Sequence, residues 1–341
     1  QILNQGGSAA DGAIAAAWML GLVEPQSSGL GGGGYLVYFD GQKTIFLDGR
    51  ETAPKSAKAD RFLNADGSPM FFGLAVISGL SVGTPSMVRL MEKMSQQFGQ
   101  LTWQDTLKPA IQTAQNGFQV TPRLNKLLSV DPILRQLKAA SIFYPDGKPL
   151  TVGALYKNPA YAKTLRQLSR HGADYFYNHT SKLILAAANP HGSDLTSEDF
   201  SDYKVIERAA LCKPIINYQV CSVPPSSSGG VALLQILGML QGKLPDDPII
   251  AATQLTNASR LAFADRDEYL ADPAFEAVPV DQLLEPKYLE QRASLALGAR
   301  LDQVSAGLGA RQPSLAGVDA PNTSHISVVD SKGRAASITL S

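Results

Sequence analysis

The final stretch of the chain, residues 323–341, constrains the fold more tightly than any other part of the sequence. Residues 325–329 are rich in β-branched side chains, and residues 330–333 supply turn formers that end in Gly333. Residues 335–340 then resume a strand pattern. Two short strands joined by a tight turn predict a β-hairpin, so any fold for this chain must accommodate one at this end.

A stretch of very different composition precedes this hairpin. Residues 307–322 are rich in Gly, Ala, Ser and Pro and have little apolar periodicity, which predicts a flexible linker, assigned here to residues 311–322. Thr323 therefore stands where linker meets strand. Cutting the Asn322–Thr323 bond would give Thr323 a free α-amine, which can act as general base for its own hydroxyl. A Thr here can also be only a strand former or a turn cap.

The sequence Thr-Ser-His-Ile-Ser-Val-Val-Asp that begins at Thr323 closely resembles the autocleavage segment of gamma-glutamyltranspeptidases. The resemblance covers nearly the whole chain through further motifs in the same order. These are Arg-Glu-x-Ala-Pro at 50–54, Pro-Pro-x-Ser-Ser-Gly-Gly at 224–230 and Ala-Asp-Arg-x-x-Tyr-Leu-x-Asp-Pro at 264–273. In that family the first Thr is both the processing site and the nucleophile, which implies cleavage between Asn322 and Thr323. The charges of the 264–273 motif are expected to join a helix to a loop.

Arg50 follows a predicted strand and enters a loop bounded by Pro54. By itself it fits either a surface salt bridge or a fork for a carboxylate. The resemblance implies that Arg50 grips the α-carboxylate of a γ-glutamyl substrate, with Glu51 as a structural or orienting partner. Ser341 stands where the family usually has a Thr that hydrogen-bonds the nucleophile, and we group it with Arg50 on the substrate side.

The resemblance implies an autoprocessing γ-glutamyl transferase or hydrolase that forms an acyl-enzyme on Thr323. Its expected partners are glutathione or another γ-glutamyl compound, an amino acid, peptide or water as acceptor, and its own small subunit after cleavage. No cofactor is expected. The family's oxyanion-hole glycines and remaining substrate contacts are expected to lie beyond residue 341. Two alternatives stay open: a related acylase acting on cephalosporin, glutaryl or poly-γ-glutamate substrates, and an unprocessed noncatalytic homologue.

The fold expected from the resemblance is α+β, an αββα four-layer sandwich of the N-terminal nucleophile hydrolase type, truncated at both ends. Residues 1–322 would form the large-subunit region and residues 323–341 the start of the small subunit. The glycine run at 31–34 is not a phosphate loop, because no Lys-Ser/Thr follows it and it leads into a strand. We expect these glycines to permit close approach of a neighbouring strand or a ligand.

Composition limits the binding partners and the cellular compartment that are expected for this chain. Lys plus Arg and Asp plus Glu both number 30, so no overall charge favours nucleic acid, and no apolar run reaches the roughly 18 residues of a membrane span. No metal site is expected. The two cysteines, Cys212 and Cys221, fit opposite strands of one hairpin turning near residues 216–217, as a possible disulfide or as two reduced, packed thiols. A disulfide favours a periplasmic or secreted protein, although no signal peptide is visible in this chain.

Overall fold

A computed structural model describes residues 1–131, 133–241, 244–309 and 323–341 of the protein. The linker predicted at 311–322, including Asn322 of the predicted cleavage site, lies outside these residues. The strands are Gly34–Phe39 (β1), Thr44–Gly49 (β2), Phe118–Gln119 (β3), Leu155–Tyr156 (β4), Ile206–Ala209 (β5), Leu211–Ile215 (β6), Tyr218–Ser222 (β7), Ser324–Val329 (β8) and Ala335–Leu340 (β9).

Helices make up most of the remaining regular structure, which confirms the α+β class. The helices are Ala9–Val23 (α1), Phe72–Ile77 (α2), Met87–Phe98 (α3), Trp103–Asn116 (α4), Pro122–Val130 (α5), Pro159–His171 (α6), Ala173–Tyr175 (α7), Ser181–Ala188 (α8), Ser197–Ser201 (α9), Gly229–Leu240 (α10), Pro248–Tyr269 (α11), Val280–Leu283 (α12) and Pro286–Ala296 (α13).

The chain divides into two compact units. The first contains Gln1–Gly41, Leu47–Ile206 and Asn322–Ser341, and the second contains Gln42–Phe46 and Glu207–Pro321. The predicted start of the small subunit therefore folds in the same unit as the first half of the chain. Whether the Asn322–Thr323 bond separates two subunits stays a prediction.

The predicted terminal hairpin is confirmed as β8 and β9. In the first unit β9 lies between β1 and β8 and pairs antiparallel with both. Its buried side chains alternate along the strand, as expected for a sheet with one covered face. These side chains, together with two from β1, are Leu36, Tyr38, Ala336, Ile338 and Leu340.

Helix α1 covers this face of the sheet and packs on β8 and β9. Ser8 begins the helix with a capping box, in which the Ser8 side chain binds the Asp11 amide and Asp11 binds the Ser8 amide. Small alanine side chains line the buried side of α1, so its backbone lies close to the strands. A second tie comes from Asp330 in the hairpin turn, whose Oδ2 accepts a hydrogen bond from the Ala9 amide at 3.0 Å.

In the second unit, β6 and β7 form a separate two-stranded hairpin. The register of this hairpin places Cys212 opposite Cys221, with their Cα atoms 4.0 Å apart and their sulfurs bonded. Ile216 adopts a positive φ of 55° in the turn between them. The hairpin therefore turns where the sequence predicts, at residues 216–217.

The motif at 264–273 ends helix α11 and binds the segment that follows α13. Asp265, which is fully buried, accepts hydrogen bonds from Tyr288 Oη at 2.7 Å and from the Gly307 amide at 2.9 Å. Tyr269 Oη accepts from the Leu308 amide at 2.8 Å. Burial, with the neighbouring Asp265 carboxylate, raises the pKa of Tyr288 well above its usual range, so its hydroxyl stays a donor. The prediction that the charges of this motif join helix to loop is confirmed for Asp265.

No cluster of three or more His, Cys, Asp or Glu side chains suited to a metal ion occurs within the described ranges. Likewise, none of the described helices has the length and apolar character needed to cross a membrane.

Replacing Asp330 by Asn tests the tie between the hairpin turn and α1. The side chain is 3% exposed; its burial raises the pKa of the carboxyl, but hydrogen bonds from the Ala9 amide and from Arg334 outweigh this, and the pKa lies below its usual value. A depressed pKa means that the ionised form stabilises the fold above the unfolded-state value near pH 4, and that this contribution is lost as pH falls. We expect Asp330→Asn to lower the free energy of unfolding by about 1–3 kcal/mol at pH 7.

Chemical denaturation at pH 7 and below pH 4 measures the effect. The loss should shrink as pH falls from the unfolded-state value towards the depressed pKa at which folded Asp330 takes up its proton. Asp302→Asn, at a largely exposed carboxylate, is the control and should change little. An equal loss at both pH values would contradict the assigned role of the ionised carboxylate.

Candidate active site

Thr323, the predicted nucleophile, is exposed and immediately precedes β8. The first pair of the β8–β9 register is Ser324 with Leu340. Continuing the register by one residue puts Thr323 directly opposite Ser341, with both side chains on the same face of the sheet. Directly opposed residues have Cβ atoms roughly 4.5–5.5 Å apart, so this extended register would bring the two hydroxyls close together.

Ser341 connects this edge of the sheet to the Arg50–Glu51 pair. Its Oγ donates a hydrogen bond to Glu51 Oε1 at 2.6 Å, and Glu51 Oε2 lies 3.3 Å from Arg50 Nε. The Arg50 side chain is 56% exposed and that of Glu51 is 22% exposed. The site residues predicted from sequence, Thr323, Ser341 and Arg50, thus lie in one series, with Glu51 joining the last two.

The glycine run before β1 makes this approach possible. The Ser341 amide donates to the Gly33 carbonyl oxygen at 2.9 Å. A Cβ on Gly32 would overlap the Ser341 carbonyl group, and a Cβ on Gly33 would lie 3.0 Å from Glu51 Cδ. The expectation that these glycines permit close approach of a neighbouring strand is therefore confirmed, and Gly33 also leaves room for the Glu51 carboxyl.

Two side chains from elsewhere in the first unit fix the loop that carries Arg50. Tyr203 Oη donates to the Arg50 carbonyl oxygen at 2.9 Å. Burial raises the pKa of Tyr203 well above its usual range, which keeps this hydroxyl protonated and able to donate. Ser86 Oγ donates to the Gly49 carbonyl oxygen at 2.6 Å. Both bonds hold the Arg50 backbone while the side chain remains accessible.

A cavity of about 490 Å³ opens beside Arg50 and Glu51. Arg61 lines part of this cavity. Its Nε donates a hydrogen bond to the Leu80 carbonyl oxygen at 2.8 Å, and its guanidinium forms an ion pair with Asp194 at 2.6 Å. Hydrogen bonds from Ser56 and Arg61 keep the pKa of Asp194 below its usual value. The lining residues are Gly31, Arg50, Glu51, Thr52, Ala53, Pro54, Arg61, Phe62, Leu80, Ser81, Val82 and Gly83.

The arrangement suits a small anionic ligand. A guanidinium that is more than half exposed can bind a carboxylate through two parallel hydrogen bonds, and the adjacent cavity has room for the rest of a small molecule. The described lining contributes two arginines and one glutamate. A carboxylate bound to Arg50 would lie in the same part of the unit as the series that leads through Glu51 and Ser341 towards Thr323.

Sequence reasoning missed some of these residues and misread one. Tyr203 carries no motif, and only the folded structure brings it to Arg50. Ser86 directly precedes α3, a position that predicts a helix cap, but it makes no side-chain capping bond because its hydroxyl binds the Gly49 carbonyl instead. A Ser before a helix is a good capping signal, and no local pattern distinguishes it from a Ser that bonds a neighbouring strand.

Replacing Gly32 by Ala tests the close approach of Ser341. The new Cβ would overlap the Ser341 carbonyl, so the end of β9 must shift. We expect a loss of about 1–3 kcal/mol in the free energy of unfolding, the usual range for overpacking. Gly31→Ala is a matched control, because a Cβ at Gly31 would meet nothing within 4 Å. Equal stability of the two variants, measured by denaturant unfolding, would refute this account.

The whole chain, residues 1–341, matches the family model described as Gamma-glutamyltranspeptidase. A glutathione hydrolase proenzyme of Pseudomonas aeruginosa is 33% identical over 99% of this chain, and the chain spans 60% of that relative's length.

Two solved structures extend the comparison. The gamma-glutamyltranspeptidase from Pseudomonas nitroreducens complexed with L-DON superposes with a TM-score of 0.81 and 32% identity, over 89% of this chain and 91% of that one. A cephalosporin acylase from Bacillus halodurans gives a TM-score of 0.84 at 25% identity, over 99% of this chain and 62% of that one. With the family model matching from end to end, the chain belongs to the gamma-glutamyltranspeptidase family.

Proposed function

We propose that this protein is an autoprocessing γ-glutamyl transferase or hydrolase that acts on glutathione and other γ-glutamyl compounds. The observation that carries the proposal is the series of polar side chains at one end of the sheet. Ser341, opposite Thr323, binds Glu51, and Glu51 contacts Arg50 beside a cavity of about 490 Å³. A nucleophile and a carboxylate-binding guanidinium in one small region suit acyl transfer from a substrate with a free α-carboxylate.

Maturation would come first. Thr323 Oγ attacks the Asn322 carbonyl carbon, the bond from that carbon to the Thr323 nitrogen breaks, and the nitrogen takes up a proton. Water then hydrolyses the resulting ester, which returns the Thr323 hydroxyl and leaves its α-amine free. One cleavage thus creates both the nucleophile and an adjacent base.

In turnover, Arg50 would hold the α-carboxylate of the substrate. The Thr323 α-amine accepts the hydroxyl proton as Oγ attacks the γ-carbonyl, and it passes that proton to the departing amine. Water releases γ-glutamate from the acyl-enzyme, or an amino acid or peptide amine takes the acyl group. We also propose that the protein has the four-layer αββα arrangement known for N-terminal nucleophile hydrolases.

We place the protein in the periplasm or outside the cell. The support is the bond between Cys212 and Cys221, because disulfides persist in oxidising compartments and are rare in the reduced cytosol.

A related acylase is the second candidate, and the likeness to the cephalosporin acylase favours it. Such an enzyme would use Thr323 in the same way with a different acyl group. The two acyl groups differ at the α-amine, because a glutaryl chain keeps the terminal carboxylate that Arg50 would bind and lacks only that amino group. Comparing γ-glutamyl with glutaryl anilides as substrates decides between them.

Thr323→Ala is the first test. We expect the protein that carries this chain to remain uncleaved at Asn322–Thr323 and to lose activity by about 10³-fold or more, because the nucleophile is removed. Mass spectrometry after long incubation measures cleavage, and release of a γ-glutamyl anilide measures activity. Thr323→Ser keeps a hydroxyl and should retain partial cleavage. Full activity of the Ala variant would refute the assignment of Thr323 as nucleophile, and a wild-type chain that never cleaves would favour a noncatalytic homologue.

Arg50→Lys tests the carboxylate grip. Lys keeps the charge but loses the two-bond fork, and a charge-assisted hydrogen bond contributes about 1.5–3 kcal/mol. We expect KM for a γ-glutamyl substrate to rise by roughly 10- to 100-fold, with a smaller change in kcat. Steady-state kinetics on γ-glutamyl anilide measures both constants. Lys58→Arg, the reverse exchange at an exposed position outside the cavity lining, is the control. An unchanged KM for Arg50→Lys would remove Arg50 from the binding site.

A further inference from the structure

The first step of maturation raises a question of proton acceptance. In the uncleaved chain the Thr323 nitrogen belongs to a peptide bond, so it cannot serve as the base that turnover would use. A hydroxyl attacks a carbonyl efficiently only when a positioned group takes its proton. Another group near Thr323 is therefore needed to take this proton before cleavage.

The hydrogen bond from Ser341 to Glu51 determines the direction in which Ser341 can pass a proton. A serine hydroxyl carries one proton and two lone pairs. Ser341 Oγ gives its proton to Glu51 Oε1 at 2.6 Å, a short bond of the charge-assisted kind. Towards Thr323, on the opposite strand, Ser341 can therefore act only as an acceptor.

His325 is the other titratable side chain on this face of the hairpin, two residues along from Thr323. Its ring nitrogens are already engaged with neighbouring hydroxyls. Nδ1 lies 2.8 Å from Thr339 Oγ1, and Nε2 lies 3.2 Å from both Ser327 Oγ and Ser337 Oγ. These contacts hold the imidazole ring over Thr339, Ser327 and Ser337, farther along the hairpin from the Thr323–Ser341 pair. Glu51, which binds Ser341 directly, is therefore the better placed proton acceptor.

Glu51 is also firmly placed. The missing side chain of Gly33 leaves room for its carboxyl, where a Cβ would approach Cδ to 3.0 Å. Its second oxygen, Oε2, is buried and lies 3.3 Å from Arg50 Nε. Its backbone follows Arg50, whose carbonyl is held by Tyr203. The carboxylate therefore presents Oε1 to Ser341, while its buried Oε2 has no hydrogen-bond partner among the described residues.

We infer that Glu51 is a positioning residue that accepts, through Ser341 Oγ, the proton released by Thr323 during self-cleavage. This inference rests on the proposed function and adds a third member to its nucleophile. As Thr323 Oγ bonds to the Asn322 carbonyl carbon, its proton passes to Ser341 Oγ and the Ser341 proton passes to Glu51 Oε1. When the carbon–nitrogen bond breaks, the protons return along the same path and the Thr323 nitrogen gains one. Charge and atoms balance without any added reagent.

Self-cleavage depends on this proton relay, whereas turnover depends on it only in part. Once the bond is cut, the α-amine of Thr323 supplies a base of its own. Loss of the Glu51 carboxylate should then slow maturation far more than turnover by chains that have matured. If Glu51 served only to orient Arg50, its loss would instead raise KM for the substrate and leave self-cleavage unchanged.

The experiment compares Glu51→Gln, Ser341→Ala and the double variant in the protein that carries this chain. Self-cleavage is followed by mass spectrometry over time, and turnover of γ-glutamyl anilide is normalised to the cleaved fraction. We expect Glu51→Gln to slow cleavage about 100-fold, a typical loss for general-base assistance. The double variant should cleave no more slowly than Ser341→Ala alone, since both changes break one relay. Glu290→Gln, at an exposed carboxylate on α13, is the control.

Each outcome separates the inference from the function on which it rests. Cleavage of Glu51→Gln at the wild-type rate, or slowing that multiplies with that of Ser341→Ala, overturns the relay and leaves the proposed function standing. A wild-type protein that never cleaves overturns both. Thermal unfolding of every variant accompanies the rates. Ser341→Thr keeps the hydroxyl that Ser341→Ala lacks, so it should cleave as the wild type does. If Ser341→Ala were slowed only by misfolding, a hydroxyl at this position would not bring the rate back.

Discussion

The contact between the end of β9 and the glycine run before β1 supports the rest of the candidate site. Ser341 can donate its amide to Gly33 only because Gly32 has no side chain in the way. That hydrogen bond extends the β1–β9 pairing to the last residue of the chain and carries the Ser341 hydroxyl to Glu51. Arg50 follows through its contact with Glu51. Backbone geometry, more than charge, therefore determines where the polar groups meet.

Local signals predicted the local structure well. Alternating β-branched residues and a turn ending in Gly333 predicted the β8–β9 hairpin, and Ser8, which precedes an alanine-rich stretch, is a typical cap signal that the structure uses to begin α1. The cysteine spacing predicted a hairpin that turns near residues 216–217. In each case the interaction that sets the structure joins residues close in sequence, so its pattern can be read there.

The candidate site depends on contacts between distant parts of the chain. Ser341 and Glu51 are 290 residues apart, and Tyr203 reaches Arg50 across 153 residues. Only the family resemblance pointed to Arg50 and Ser341, and it said nothing of Tyr203. Ser86 shows the limit most clearly, because the signal that predicts a helix cap was present while its hydroxyl bonded a strand. Periodicity cannot reveal which of two nearby carbonyl or amide groups a side chain will bind.

The position of β9 between β1 and β8 bears on what the cleavage proposed at Asn322–Thr323 would do to the fold. Six residues of β9 pair with β1 on one side and six with β8 on the other, while α1 covers their apolar face. Severing one peptide bond ahead of β8 removes none of these interactions. The two polypeptides would stay together in one folded unit, because the same strand pairing holds them before and after cleavage. The main structural change would be greater mobility of the two new chain ends.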